Sequence, residues 1–192
     1  SAGWVASQED FIKSKEWFSF LKVRASFGSV GNSRGIGSYA SRTLYGGGAY
    51  ASQNGFSTSQ SGNANLKWET SEKFDIGVDF NILNNKFGFV IDYFNNNISG
   101  LVLAATPLYT VGIPGATIDT NIGSMYNRGV EFTFNTSPIV NSNFNWNLSF
   151  NLSHNTNKIL SLTEGINSLV SDAIGGTAGM ASITQVGNPI GM

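Results

Sequence analysis

The sequence predicts an all-β chain: a segment of a large antiparallel up-and-down transmembrane β-barrel, with about 6–7 strands present. Three observations carry that expectation. Apolar and polar residues alternate with period two along runs of about 10–15 residues, where an ordinary strand has about 5–6. The connections between runs alternate between short and long. Aromatic residues gather at both ends of the runs, as they do at membrane–water interfaces. Composition agrees. The 192 residues include 23 Gly, 14 Phe, 6 Tyr and 4 Trp, and only 12% are charged, about half the usual share of roughly 25%.

The elements follow in order. Ser1-Ala-Gly-Trp-Val-Ala reads as the tail of a strand, followed by a polar turn from Ser7 to Glu16. Leu21, Val23, Ala25 and Phe27 then alternate with Lys22, Arg24 and Ser26. The clearest run is Trp68 to Ile82. Its even positions carry Trp68, Thr70, Phe74, Ile76, Val78, Phe80 and Ile82, with Glu72 the charged exception. Its odd positions carry Glu69, Ser71, Lys73, Asp75, Gly77, Asp79 and Asn81. Phe87, Phe89, Ile91 and Tyr93 make a further stripe, as do Val130, Phe132 and Phe134. Phe144, Trp146, Leu148, Phe150 and Leu152 alternate with Asn145, Asn147, Ser149 and Asn151. Strands of this length match a tilted crossing of a bilayer, which takes about 9–11 residues.

Asn84-Asn85 suits the positive φ angles of a tight hairpin, and Ser137 to Asn143 is a second short link. The connections at 28–67, 95–121 and 156–185 are long. In an up-and-down barrel, alternate connections fall at one end, so these three are expected as extracellular loops and the short links as periplasmic turns. Gln185 to Met192 reads as a loop entering another strand. Open sheet edges leave backbone groups unsatisfied in hydrocarbon, so residues 1–192 are expected to be part of a transmembrane β-barrel domain larger than themselves.

The phase assigns faces. Trp17, Phe80, Phe87, Phe144 and Trp146, near the short turns, and Trp68, Tyr93 and Tyr126, near the long loops, are expected as membrane-interface aromatics. Glu69, Lys73, Asp75 and Asp79 are expected to face the lumen. Asp75 and Asp79 lie about 13 Å apart along a strand, beyond the separation of a glycosidase carboxylate pair.

Little else in the sequence suggests chemistry. With 11 Lys+Arg against 12 Asp+Glu, there is no basic footprint for nucleic acid. No cysteine is present and His154 is the one histidine, so neither a thiol site nor a two-histidine site is expected. Gly46-Gly47-Gly48 lacks the Lys-Ser/Thr of a phosphate loop and is expected as a flexible loop. Asn97, Asn135, Asn147 and Asn151 match glycosylation acceptors by chance. No catalytic, metal or cofactor site is expected. The binding candidates are the loop aromatics Tyr39, Tyr45, Tyr50, Phe56 and Tyr109, whose rings can stack on sugars or pack on a capping partner.

Several phrases carry a family resemblance. Phe20-Leu-Lys-Val-Arg-Ala-Ser-Phe-Gly-Ser-Val-Gly-Asn32, Asn63-Ala-Asn-Leu-Lys-Trp-Glu-Thr70 and Phe74-Asp-Ile-Gly-Val-Asp-Phe80 stand in order. Asn84-Asn85-Lys86, Ile91-Asp-Tyr-Phe94, Asn121-Ile-Gly-Ser-Met-Tyr-Asn-Arg-Gly-Val-Glu-Phe132 and Val186-Gly-Asn-Pro-Ile-Gly191 follow. The set resembles the C-terminal barrel of the SusC/RagA family of TonB-linked outer-membrane proteins, with Ala64 in place of the usual Pro. The resemblance implies a place in the cell outer membrane and import of oligosaccharides, or in some members peptides. It also implies energy supplied through TonB and a SusD-like surface lipoprotein as partner. The plug domain and the TonB box are not in this segment. Two other readings stay open at this point: an outer-membrane structural or adhesion barrel without transport, and a soluble β-sandwich binding module.

Overall fold

The computed structural model describes residues 1–13, 17–50, 53–105, 118–162, 168–173 and 181–190. Ten strands appear among them: β1 (Ala2–Trp4), β2 (Phe18–Asn32), β3 (Leu44–Tyr50), β4 (Gln53–Gln60), β5 (Glu69–Ile82), β6 (Phe87–Ala105), β7 (Ile118–Val140), β8 (Asn145–Leu162), β9 (Ser168–Ala173) and β10 (Ala181–Gln185). A 3₁₀ turn (Ala6–Gln8) and a four-residue helix, α1 (Asp10–Lys13), lie between β1 and β2. Six strands form one sheet in the order β1-β2-β5-β6-β7-β8, and β3-β4 and β9-β10 are separate two-stranded sheets.

The strands are longer, and the connections shorter, than the alternation suggests. β2 continues to Asn32, β6 to Ala105 and β8 to Leu162, and β7 starts at Ile118. The segments expected as loops at 28–67, 95–121 and 156–185 therefore contain strand ends and two hairpins. Alternation marks the part of a strand with one apolar face. Ladder hydrogen bonds belong to the backbone and continue where both faces are polar, as at Asn95-Asn96-Asn97. Gly46-Gly47-Gly48, expected as a flexible loop, is strand, paired with Ser57, Phe56 and Gly55. A Cβ on Gly48 would meet the Ser57 Oγ at 2.9 Å, so glycine lets the serine lie across the strand. The polar turn from Ser7 contains the short helix α1.

The described chain forms two compact units. The first consists of Ser1–Ser29, Glu72–Asn97 and Tyr126–Asn157. Its apolar face carries an aromatic row. Phe80 stacks on Phe89 with centroids 4.7 Å apart, and Phe89 lies 5.0 Å from Phe134 and 6.3 Å from Phe132. Phe74, Ile76, Ile91, Leu148, Phe150 and Leu152 are exposed on that face. The link between β5 and β6 places Leu83, Asn84 and Asn85 at φ 51°, 57° and 63°. Asn tolerates this left-handed region better than other side chains. Asn85 also takes a hydrogen bond from the Asn81 amide at 3.1 Å, and its own N–H donates to Ser19 Oγ at 3.1 Å.

The second unit consists of Val30–Ser71, Ile98–Met125 and Lys158–Met192. Leu101, Met125 and the fully buried Ile159 make a small core, with Ile98 and Leu162 packed against it. The Leu101-Val-Leu run thus belongs to β6 and to this core. Ile159 is fixed at both backbone groups: its N–H donates to the Asn188 carbonyl, and its own carbonyl accepts from the Gly187 N–H, each at 2.9 Å.

The turn makes a prediction. In the full-length barrel, Asn85→Val places a β-branched residue at positive φ and is expected to cost about 1–2 kcal/mol. Asn85→Gly, which adopts that φ freely, is expected to retain most of the stability. Urea titration of the folded barrel in vesicles checks both.

Candidate functional site

Odd positions on β5 and even positions on β2 and β6 put their side chains on the polar face of the first unit. There Arg24 of β2 reaches across to β5 and β6. Its Nη2 lies 3.2 Å from Asp79 Oδ1 and 2.6 Å from Asp92 Oδ1. Its Nε donates to Asp79 Oδ1 at 3.2 Å, and Nη2 donates to Asp92 Oδ2 at 2.7 Å. One guanidinium therefore ties three strands. Charge-assisted bonds of this kind are the stronger ones, and the planar fork suits two carboxylates at once. Asp75 accepts from Ser26 Oγ at 3.1 Å, a second β2–β5 link.

Gly77 creates the room. A Cβ there would meet Arg24 Cζ at 2.6 Å and would strike Asp92 Oδ1. The absent side chain is what lets the guanidinium lie flat over β5. On β7, Gly129 is arranged the same way: a Cβ would meet Phe94 Cζ at 2.8 Å, so the Phe94 ring covers the glycine.

Further along the polar face, β7 and β8 carry an uncharged ladder. Thr133 Oγ1 donates to Asn151 Oδ1 at 2.9 Å, Ser149 Oγ to Asn135 Oδ1 at 2.8 Å, and Ser137 Oγ to Asn147 Oδ1 at 2.7 Å. Three of the glycosylation-like asparagines are thus occupied in cross-strand bonding. In the second unit, Asn121 clamps two segments. Its Nδ2 donates to the carbonyls of Lys67 and Gly100, both at 2.8 Å, and its Oδ1 accepts from the Lys67 N–H at 2.7 Å. Asn63 Nδ2 donates to the Asp119 carbonyl at 3.0 Å. Glu69 accepts from Asn32 Nδ2 at 2.8 Å and from the Val102 N–H at 3.0 Å. The residues Asn63 to Glu69 and Asn121 therefore form one structural clasp.

The expected site residues are placed as follows. Asp75 and Asp79 join the polar cluster, Glu69 joins the clasp and Lys73 is exposed. Trp17 packs on Phe18 at 4.0 Å between centroids. Phe80 belongs to the aromatic row, and Phe87 lies 6.2 Å from Phe134. Trp68, Phe144, Trp146 and Tyr93 are exposed. Tyr126 has Arg128 over its ring at 4.5 Å. Among the loop aromatics, Tyr39 is exposed at φ 59°, and its carbonyl accepts from Gln60 Nε2 at 2.9 Å. Tyr45 and Phe56 are exposed on one face of the β3-β4 hairpin. The Tyr50 side chain and all of Tyr109 lie outside the described residues. Arg24, Asp92, Ser26 and Asn121 were not singled out from the sequence. The polar-face parity of Arg24 and Asp92 was readable, but their meeting depends on cross-strand register.

The described residues contain no group of acidic or histidine side chains able to hold a metal ion. The polar face of the first unit offers fixed hydrogen-bonding groups. Long antiparallel strands with an exposed apolar face and a hydrogen-bonded polar face define the wall of a large transmembrane β-barrel. Residues 13–189 match the family described as TonB dependent receptor-like, beta-barrel. The chain belongs to that family, and its relatives place it in the SusC/RagA type. It is 38% identical over 167 residues to TonB-dependent receptor P39 of Formosa agariphila, covering 84% of this chain and 15% of that relative. It is 36% identical over 171 residues to TonB-dependent receptor SusC of Bacteroides thetaiotaomicron, covering 85% of this chain and 17% of the relative. The chain thus spans less than a fifth of these relatives. Among solved structures, it is similar to the RagAB peptide importer in its closed-closed state, with TM-score 0.83, 26% identity, and coverage of 98% of this chain and 20% of that one. The open-open state gives the same TM-score over 97% of this chain.

The cluster makes a prediction in the full-length protein. Arg24→Gln leaves Asp79 and Asp92 without their shared cation and is expected to cost about 1–3 kcal/mol. Gly77→Ala is expected to destabilise by displacing the guanidinium. Its cost should therefore shrink in the Arg24→Gln background. Equal costs in both backgrounds, measured by a double-mutant cycle in urea, would show that Gly77 acts independently of Arg24.

Proposed function

We propose that this chain is part of the wall of an outer-membrane, TonB-dependent importer, its apolar face against lipid and its polar face toward the lumen. In this reading, Glu69, Lys73, Asp75 and Asp79 face the lumen. Trp17, Trp68, Phe80, Phe87, Tyr93, Tyr126, Phe144 and Trp146 mark the two membrane interfaces. Substrate is captured at the loops, enclosed beneath a SusD-like lipoprotein, and passes when TonB acts on parts of the protein outside this segment. The observation that carries the reading is the pairing of an exposed apolar stripe with an opposite face of interlocked polar side chains. A soluble sandwich would bury the first against a second sheet.

Oligosaccharides are the proposed substrate. The Thr133–Asn151 ladder is uncharged and rich in hydroxyl and amide groups, which suits a neutral hydroxylated solute. Tyr39, Tyr45 and Phe56 supply exposed rings, with Tyr50 and Tyr109 further candidates. The second reading is peptide import, favoured by the similarity to structures named as a peptide importer. Transport, not catalysis, is the proposed role in both.

Two experiments test the proposal. For the faces, Ile76→Arg in the full-length barrel should cost about 2–4 kcal/mol near the bilayer midplane. Asp75→Asn keeps an acceptor for Ser26 and should leave folding nearly unchanged. Equal urea stabilities in vesicles would reverse the faces. For the cargo, a deletion strain carrying the parent gene should take up labelled oligosaccharides, and uptake should stop when TonB is removed. Growth restored by peptides alone would select the second reading. Uptake unaffected by loss of TonB would defeat both.

A further inference from the structure

On the apolar face of the first unit, the pattern of β7 and β8 changes toward one end. Phe134, Phe132 and Val130 are succeeded at the same parity by Arg128 and Tyr126. Phe150 and Leu152 are succeeded by His154. Arg128 and His154 are both exposed. The Arg128 guanidinium lies over the Tyr126 ring, 4.5 Å from its centroid. It is thereby turned away from the apolar stretch and toward the aromatic end of the strand, as a cation does when it reaches for a membrane interface. Both ion pairs among the described residues belong to Arg24, so Arg128 has an aromatic partner and no carboxylate.

The Arg128 and His154 side chains are neighbours. Side-chain bonds join Thr133 to Asn151, Asn135 to Ser149 and Ser137 to Asn147. Continued along the strands, this register sets His154 opposite Val130. Arg128 is then the diagonal neighbour on the same face, about 7–8 Å away. The His154 carbonyl lies against Gly129, consistent with that register.

We propose that Arg128 and His154, with Tyr126 beside them, form an outward-facing site for the phosphate of an anionic membrane lipid. The inference rests on the reading above that the apolar face meets lipid. A molecule lying on that stripe is apolar along Phe132, Phe134, Phe150 and Leu152, and at the end marked by Tyr126 it meets a guanidinium fork and an imidazole. An anionic, phosphate-bearing membrane lipid has that division: acyl chains below, phosphate above. The fork of Arg matches phosphate oxygens two at a time, and the exposed guanidinium keeps its donors free for them.

The test uses the full-length protein purified in detergent and titrated separately with phosphatidylglycerol and phosphatidylcholine. Bound lipid is counted by native mass spectrometry. Wild type is expected to bind phosphatidylglycerol more tightly. Arg128→Gln with His154→Gln should weaken that binding by about tenfold, the loss of a charge-assisted bond, while phosphatidylcholine binding is unchanged. Arg128→Lys, which keeps the charge and loses the fork, should fall between, and each single variant provides the reading if the double variant does not fold. Equal phosphatidylglycerol binding by wild type and the variants would overturn the site. Displacement of the lipid by inorganic phosphate alone would overturn it as a lipid site and assign it to free anions. If wild type fails to enter vesicles as a heat-modifiable barrel, the membrane reading itself fails, a result separable from loss of lipid preference.

Discussion

Backbone hydrogen bonding is the constraint on which this structure depends. A strand exposed to hydrocarbon on one face has no water to satisfy its N–H and C=O groups, so every one must be met within the sheet. That requirement sets the long antiparallel runs of β5 to β8 and leaves the side chains to two separate tasks. One face carries the exposed apolar stripe with its Phe80–Phe89–Phe134 row. The other carries groups that bond sideways to neighbouring strands.

The sideways bonding relies on glycine as much as on polar residues. Gly77 allows one guanidinium to lie over β5 and reach two carboxylates, and Gly129 is covered by the Phe94 ring. In the second unit, a Cβ on Gly31 would meet the Trp68 ring at 3.1 Å, so the same device recurs there on an aromatic. A large side chain over a missing one fills space on a surface too flat to bury much else. The polar groups on the first unit's wall are thereby held in fixed positions.

Much of this was legible beforehand, and each failure has a physical origin. The faces were readable because the side-chain period along a strand is two, so Ile76 and Asp75 could be set on opposite sides from spacing alone. The Asn84-Asn85 turn was readable because few residues accept positive φ. The limits of the strands at Asn32, Ala105 and Leu162 were not, because backbone pairing outlasts the apolar stripe. The Gly46-Gly47-Gly48 strand was hidden because glycine carries no pattern. The phrase from Asn63 to Glu69 was recognisable as a motif, but its work as a clasp with Asn121 was not.

The sequence by itself determined the all-β class, the alternation of faces and the membership that the ordered phrases announce, since these rest on local periodicity and on residue identity. Tertiary structure alone decided which polar groups meet. Arg24 and Asp92 are 68 residues apart in the chain, and their encounter depends on how β2, β5 and β6 are registered. Register is a property of paired strands. No single strand contains it, so the cluster over Gly77, the Asn121 clasp and the Arg128–His154 neighbourhood become visible only when the strands stand side by side.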